Sequence, residues 1–427
     1  MEVRKAALEL LIKVFNKNKE YDSTLSTYIS KVKSPSELVG LTSGTIKMRL
    51  KLDYIISSLS KYSLNKLSPT VLNTLRLALY EFIHTNTPDY AVINAYVDII
   101  KVYNKKSAPF INAILRNYQR ESTNIQFFDI KTQPVKAISV EYSHPEWMVE
   151  KWIKAYGIED TKEICKYNNA PPKLTIRVNP LKLTLDKLEC LFRNNDVKFE
   201  RSKVKNCLIL HHKGNITEIP GYNEGFWVVQ GESSALVANI LEPQENENIL
   251  DLCAAPGGKT SQIAAITSNN ANITAIDISA ERLKKITENC NRLGISNVKT
   301  IAADASSFQS DNQFDRILID APCSNTGVLA KRPDARWNRK PEDIKTLSDL
   351  QFSILDNASK LVKQNGIIVY STCSIEYEEN AGVIERFLKK NSGFKLENFE
   401  PFENVVAQGY IQILQSKHNM DGFFIAK

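Results

Sequence analysis

The chain has 427 residues, is 43% hydrophobic and 24% charged, and carries a formal net charge of +7. That length asks for two or three domains, no apolar run approaches the ~18–20 residues of a membrane span, and seven cysteines without a CxxC pair argue against a disulfide framework or a zinc knuckle. A membrane-spanning or disulfide-stapled protein is excluded, and a cytoplasmic globular chain with free thiols is expected. The charge is uneven. Residues 1–130 hold 18 Lys/Arg against 11 Asp/Glu, which accounts for the whole +7. A basic leading region on a neutral body suggests a polyanionic partner such as RNA.

Met1-Glu-Val-Arg-Lys5 opens an amphipathic helix rather than a signal peptide. Apolar residues then recur at three and four: Val3, Ala6, Ala7, Leu10, Leu11 and Val14; Ile55, Ile56 and Leu59; Val71, Leu72, Leu75, Leu79 and Phe82. Asp89–Ile100 follows Pro88, which suits a helix start, and Ser107–Arg116 closes the set. Five to seven short helices with polar connections predict a compact bundle over residues 1–125.

Residues 121–145 carry little periodicity and read as a linker into a helix that starts at Pro145 and runs to about Tyr156. Pro171–Asn179 alternates like a strand, Leu183–Asn194 reads as a helix, and Cys207–His211 is a second strand. Residues 126–224 are therefore expected to form a linker and a small α+β domain. His211 and His212 have no Cys or carboxylate at ligand spacing, so no metal is expected.

From residue 225 to 427, strands and helices alternate, which predicts a doubly wound, largely parallel sheet of Rossmann-like type. Candidate strands are Ile249–Leu252, Ile273–Asp277, Val298–Ala302, Arg316–Asp320 and Gly366–Ser371, with helices over Ala280–Leu293 and Leu347–Lys363. The first strand runs into Cys253-Ala-Ala-Pro-Gly-Gly-Lys-Thr260. A P-loop needs glycine five positions before the glycine of Gly258-Lys259. That position is Cys253, and G-x-G-x-x-G is also absent. The loop is therefore of nucleotide type without either standard phosphate grip. Asp251, Asp277, Asp304 and Asp320 fall at or just past strand C-termini, where ligands of an open parallel sheet lie. An acid after the second strand suits ribose hydroxyls, and one after the third suits the adenine amino group. Together they point to an adenosyl cofactor without phosphate, S-adenosylmethionine.

Two cysteines follow neighbouring strands: Cys323 in Asp320-Ala-Pro-Cys-Ser324 and Cys373 in Tyr370-Ser-Thr-Cys-Ser374. A thiolate that adds to carbon 6 of cytosine turns carbon 5 into a nucleophile able to take a methyl group. A base must then remove the carbon 5 proton before the thiolate leaves. One cysteine adds and the other assists release, with Asp320 holding the N3 edge of the base. Spacing alone does not choose between them. Arg332, Arg336, Trp337 and Arg339 follow the first cysteine, either as phosphate and base contacts or as a structural arginine cluster and core tryptophan.

Two resemblances rest on these residues. Arg4, Ala7, Leu11, Leu38–Ile46, Leu75–Glu81 and Ala108–Arg116 resemble the NusB fold, a small helical RNA-binding domain. Residues 225–427 are similar to the Nol1/Nop2/Sun family of RNA cytosine methyltransferases. That resemblance implies methylation of a cytosine at carbon 5, in small-subunit ribosomal RNA. It assigns the cofactor loop to Cys253, Ala254, Ala255, Pro256, Gly257, Gly258 and Lys259, with Asp277, Asp304 and Asp320 as further contacts. It makes Cys373 the nucleophile and Cys323 the residue that aids release, whereas DNA cytosine methyltransferases attack with the Pro-Cys residue. The chain departs from the family at Gly231, where Asp is usual, and at Gln415, where Pro is common. A monomer is expected. A transfer RNA substrate, or a non-catalytic RNA-binding assembly factor, are the alternatives.

Overall fold

The computed structural model describes residues 1–212 and 214–427. They divide into two units, Met1–Pro171 with Leu329–Asn338, and Pro172–Val328 with Arg339–Lys427.

The first unit is helical. Its elements are α1 (Val3–Lys17), α2 (Tyr21–Ile29), α3 (Pro35–Lys47), α4 (Arg49–Leu59), α5 (Pro69–His84), α6 (Asp89–Asn104), α7 (Ala108–Glu121), α8 (Pro134–Tyr142) and α9 (Glu146–Asn169). The i, i+3, i+4 residues are the ones that go inside: Ala6, Ala7, Leu10, Leu11 and Val14 of α1 pack with Leu75 and Leu79 of α5 and Ile111, Ile114 and Leu115 of α7 in one core. Local signals set the ends. Asn18 stops α1 in the left-handed conformation, φ 49°, with its N–H on the Lys13 carbonyl. The Ser68 hydroxyl accepts from the Val71 N–H and Pro69 opens α5. Arg4 donates through Nε to Glu81 at 3.0 Å, and Glu81 also accepts from the Tyr96 hydroxyl at 2.9 Å. Arg4 therefore braces the bundle.

Two expectations are corrected here. The linker over residues 121–145 contains α8, because Pro134 stands in the first turn of a helix, where its missing N–H costs nothing. Ala137, Ile138 and Val140 are buried and Ser143 ends the helix at φ 56°. The helix after Pro145 runs on to Asn169, with a break at Gly157, φ 81°, after which Ile164 and Cys165 are again buried.

The second unit begins with β1 (Leu174–Val178), α10 (Leu185–Asn194), β2 (Phe199–Arg201), β3 (Cys207–Leu210) and β4 (Trp227–Val229). These strands form an antiparallel sheet in the order β2-β3-β1-β4, and α10 buries Leu188 and Phe192 in its core. The alternation follows: α11 (Glu232–Leu241), β5 (Asn248–Leu252), α12 (Gly258–Ile266), β6 (Asn272–Asp277), α13 (Ala280–Leu293), β7 (Val298–Ala302) and β8 (Phe314–Asp320); then, past α14 (Ala335–Asn338), which belongs to the first unit, come α15 (Pro341–Leu361), β9 (Val362–Thr372), α16 (Ala381–Lys390), β10 (Phe399–Phe402), β11 (Val405–Ala407), β12 (Tyr410–Ile413), α17 (Gln415–His418) and β13 (Phe423–Ala426). The large sheet has the order β12-β13-β9-β8-β5-β6-β7. Strands β5 to β9 are parallel, and β13 and β12 add antiparallel at one edge. Both faces of β5 and β8 are covered, which is why Ile249, Leu250 and Leu252 and Ile317–Ile319 read as continuous apolar runs. The strand order reverses at β5, between β6 and β8, and the crevice for a ligand lies beyond the carboxyl ends at that point.

The segment Leu329–Asn338 leaves this sheet and folds with the helical unit. Arg336 is fully buried there, donating through Nη1 to the carbonyls of Lys47 and Ser143 at 2.8 and 2.9 Å and to the Asn169 side-chain oxygen at 2.8 Å. Trp337 donates its indole N–H to the Ile46 carbonyl at 2.7 Å. Arg332 pairs with Glu20 and Asp22. Of the two readings left open for these side chains, the structural one holds for Arg336 and Trp337. Arg339 lies in the other unit and donates to the carbonyls of Ser324 and Cys323.

Candidate active site

The β5–α12 turn is built by backbone geometry. Cys253 has φ 62° and Gly257 has φ 97°. The positive φ of Gly257 is what asks for glycine, and a Cβ there would also stand 3.2 Å from Ile286, which would have to give way by a few tenths of an ångström. Burial pushes the Cys253 thiol pKa up, so Cys253 contributes its turn and its backbone. Gly258 differs: a Cβ there would meet nothing within 4 Å, because this residue faces an open cleft of about 260 Å³.

That cleft brings together Ala254, Ala255, Pro256, Gly258, Lys259 and Asp320. Val229, Gln230, Gly231, Ser234 and Asp251 complete its lining. Lys259 donates to Asp320 at 2.6 Å and lies 5.3 Å from the Phe423 ring centroid. Ser371, opposite Asp320 in the β8–β9 register, donates to its other oxygen at 3.2 Å. Asp251 is fully buried. Its Oδ2 accepts from the Thr260 hydroxyl at 2.6 Å, whereas Oδ1 has no hydrogen-bond partner among the described residues. Burial raises its pKa to about 7.

Cys253, Gly257, Asp277 and Asp304 are not part of the cleft lining. Asp277 braces the turn: Oδ2 accepts from the Ala255 N–H at 3.2 Å and Oδ1 from the Ser279 N–H at 3.0 Å. Asp304 is exposed and accepts from the Ser306 N–H and hydroxyl at 2.8 and 2.7 Å, which holds its pKa below the ordinary carboxylate value.

The two sulfurs meet. Cys323 Sγ and Cys373 Sγ are 3.1 Å apart, and Cys373 donates to the Asn325 side-chain oxygen at 3.2 Å. The β8–β9 pairing explains the meeting, since Asp320 is opposite Ser371 and both chains continue from there in the same direction. Close backbone approach then fixes the loops. The Gly327 N–H donates to the Cys373 carbonyl at 3.0 Å, and a Cβ on Gly327 would fall 2.1 Å from the Gly422 carbonyl oxygen. Gln415, the departure from the family pattern, donates to the Gly327 carbonyl at 2.9 Å. It thus ties α17 to the cysteine loop. Gly231 caps α11 at φ −66°, a conformation open to any residue. Contact with Cys373, then burial, then the charge of Glu379 push the Cys323 pKa well up. A wider groove of about 750 Å³ beside α11 and β10 contains neither cysteine.

The sheet order, the cleft at its switch point and the paired thiols define a methyltransferase of the class I type. Three family models match the chain: "16S rRNA methyltransferase RsmB/F" over residues 238–427, "NusB family" over 1–120 and the ferredoxin-like domain of RsmF/B-like methyltransferases over 144–217. The chain belongs to the RsmB/F methyltransferase family. It is 36% identical to the probable ribosomal RNA small subunit methyltransferase B of Bacillus subtilis, over 99% of this chain and 97% of that one. It is similar to the crystal structure of PH0851, with 25% identity, a TM-score of 0.79 and coverage of 99% and 98%. It is also similar to NSun6 from Pyrococcus horikoshii with SFG, with 26% identity, a TM-score of 0.61 and coverage of 66% and 97%.

Proposed function

We propose that this methyltransferase acts in the cytoplasm and transfers a methyl group from S-adenosylmethionine to carbon 5 of a cytosine in small-subunit ribosomal RNA. The observation that carries the reading is the thiol pair, 3.1 Å apart, set beside the Asp320 strand end. The named target of the Bacillus subtilis relative supports the substrate. The basic surplus of residues 1–130 and the match to the NusB family support a partner of RNA.

The residues of the cleft fit the donor. The unpartnered, fully buried Oδ1 of Asp251 calls for a cation, and an amino-acid ammonium is one. Gly258 leaves space where a side chain would intrude. Asp277 and Asp304 serve the ribose and adenine, since a carboxylate has about four lone-pair sites and accepts beyond its present bonds. When bound, S-adenosylmethionine supplies an electrophilic methyl group. Cys373 adds as the thiolate to carbon 6 of the cytosine, and Asp320 holds the N3 edge by carrying to N3 the proton that the thiol gives up, which neutralises the charge that develops there. Lys259 holds Asp320 in place. Once Cys373 is bonded to carbon 6, Cys323 is the thiol left beside it, and as the thiolate it takes the carbon 5 proton in the elimination that expels Cys373.

Labelled methyl donor tests the reading directly. With RNA from a strain lacking the gene, label is expected in small-subunit ribosomal RNA as 5-methylcytosine. Label in transfer RNA, or RNA binding without any incorporation, would contradict it.

A further inference from the structure

Both cysteine loops are tied to one buried carboxyl group. Glu379 lies just past β9 and is fully buried. Its Oε1 accepts from the backbone N–H of Ser324, the residue after Cys323, at 2.8 Å. Its Oε2 accepts from the Ser324 hydroxyl and, at 2.5 Å, from the hydroxyl of Ser374, the residue after Cys373. Gln351 of α15 donates to Oε1 at 3.0 Å and to the Pro322 carbonyl at 2.9 Å, so the residue before Cys323 is held by the same group. The Glu379 carbonyl accepts from the Tyr370 hydroxyl at 2.6 Å. Each loop alone has other supports. The Ser324 and Ser374 hydroxyls are also 3.2 Å from each other, and the Thr326 hydroxyl lies 3.3 and 3.2 Å from them, so Glu379 is the carboxyl acceptor at the centre of a network that joins the neighbours of both sulfurs.

We propose that Glu379 is a positioning residue for methyl transfer: it clamps the Cys323 and Cys373 loops together and sets the distance between the two thiols. The inference rests on the cysteine mechanism proposed above. The physical demand is clear, because two sulfurs on separate loops stay within reach only if both loops share a rigid anchor, and misplacement by about 1 Å costs on the order of a hundredfold in rate. A buried carboxyl suits this better than a neutral group. Four donors converge on it, two on each oxygen, and hydrogen bonds to a charged acceptor are the stronger ones. Burial alone raises the Glu379 pKa, and the four donors oppose that.

The thiols themselves report their separation. In the full-length enzyme, without RNA or donor, diamide takes two electrons and two protons from the pair as a disulfide forms between Cys323 and Cys373. Peptide mass mapping measures that rate, and disulfide closure is steeply dependent on geometry. Glu379→Ala is expected to slow closure about tenfold and lower kcat about a hundredfold while donor Kd stays within about twofold. Glu379→Gln, which keeps an acceptor for Ser324 and Gln351, is expected to recover most of the closure rate. Glu378→Gln, on the exposed neighbour, leaves both rates at wild type. If Glu379→Ala fails to fold, Ser374→Ala replaces it and is expected to slow closure less. Wild-type closure in Glu379→Ala overturns the proposal, whether or not kcat falls. Because closure needs no RNA, a wild-type enzyme inactive on ribosomal RNA would defeat the proposed function and leave this test standing.

Discussion

Asp251 sits at the end of β5 with one oxygen on Thr260 and the other unpartnered. Burial in that state favours the neutral acid, and its folded pKa of about 7 lies above the unfolded carboxylate value. The sign follows: this group's contribution to apo stability is fully present below the unfolded pKa and is lost as pH rises through about 7. An arriving ammonium prefers the ionised form. Donor affinity measured by calorimetry should therefore rise by about tenfold per pH unit below about 7 and level off above it. Asp251→Asn should flatten the profile, and a flat wild-type profile would contradict the assignment. At this scale the sequence told much. The strand-end placement of the acids after β5, β6, β7 and β8, of the glycine turn and of both cysteines could be read from residue type and spacing, whereas the division of roles between the cysteines came only from the family resemblance. It did not reveal Glu379 or Gln351. A Glu in the polar run Glu376–Glu379 looks like surface, and only the fold turns it inward.

At the scale of elements, the segment around α14 shows how a basic run misleads. Arg332-Pro-Asp-Ala-Arg-Trp337 has the composition of an RNA contact. Yet Arg336 satisfies two buried carbonyls and the half-buried Asn169 side-chain oxygen through one nitrogen, and burial pulls its pKa down. Arg336→Ala should destabilise the helical unit by about 3 kcal/mol, since it leaves buried carbonyls unpaired and opens a cavity. Arg336→Met, which refills the volume, should cost about half as much. Chemical denaturation measures both, and a neutral Arg336→Ala would show that the buried cation adds nothing. Helices with a clear 3.6-residue period, such as α1, α5 and α13, could be read from the sequence. The helix α8 could not, because nine residues give only about two and a half turns of pattern and its opening proline resembles a breaker. Strand β9 begins at Val362 rather than Gly366, because Lys363–Asn365 extend it with polar residues that carry no strand signature.

At the scale of the whole molecule, the chain passes between its two units three times, after residues 171, 328 and 338. The last two passages bracket Leu329–Asn338, so a loop that starts in the cysteine site belongs in part to the helical unit. Composition suggested a basic helical region and an α/β body, and the family resemblance named both. The excursion itself has no signature in periodicity, because it is encoded in tertiary partners such as the carbonyls of Lys47 and Ser143. The two thiols proposed for the chemistry meet although they lie 50 residues apart in sequence. Their division of labour is the central claim, and adduct trapping tests it most directly. Cys323→Ala, incubated with unmethylated small-subunit ribosomal RNA and methyl donor, should give a slow-migrating, protease-sensitive RNA–protein band on a denaturing gel. Cys373→Ala should give neither band nor methylation. A trapped band from Cys373→Ala, with none from Cys323→Ala, would contradict the account.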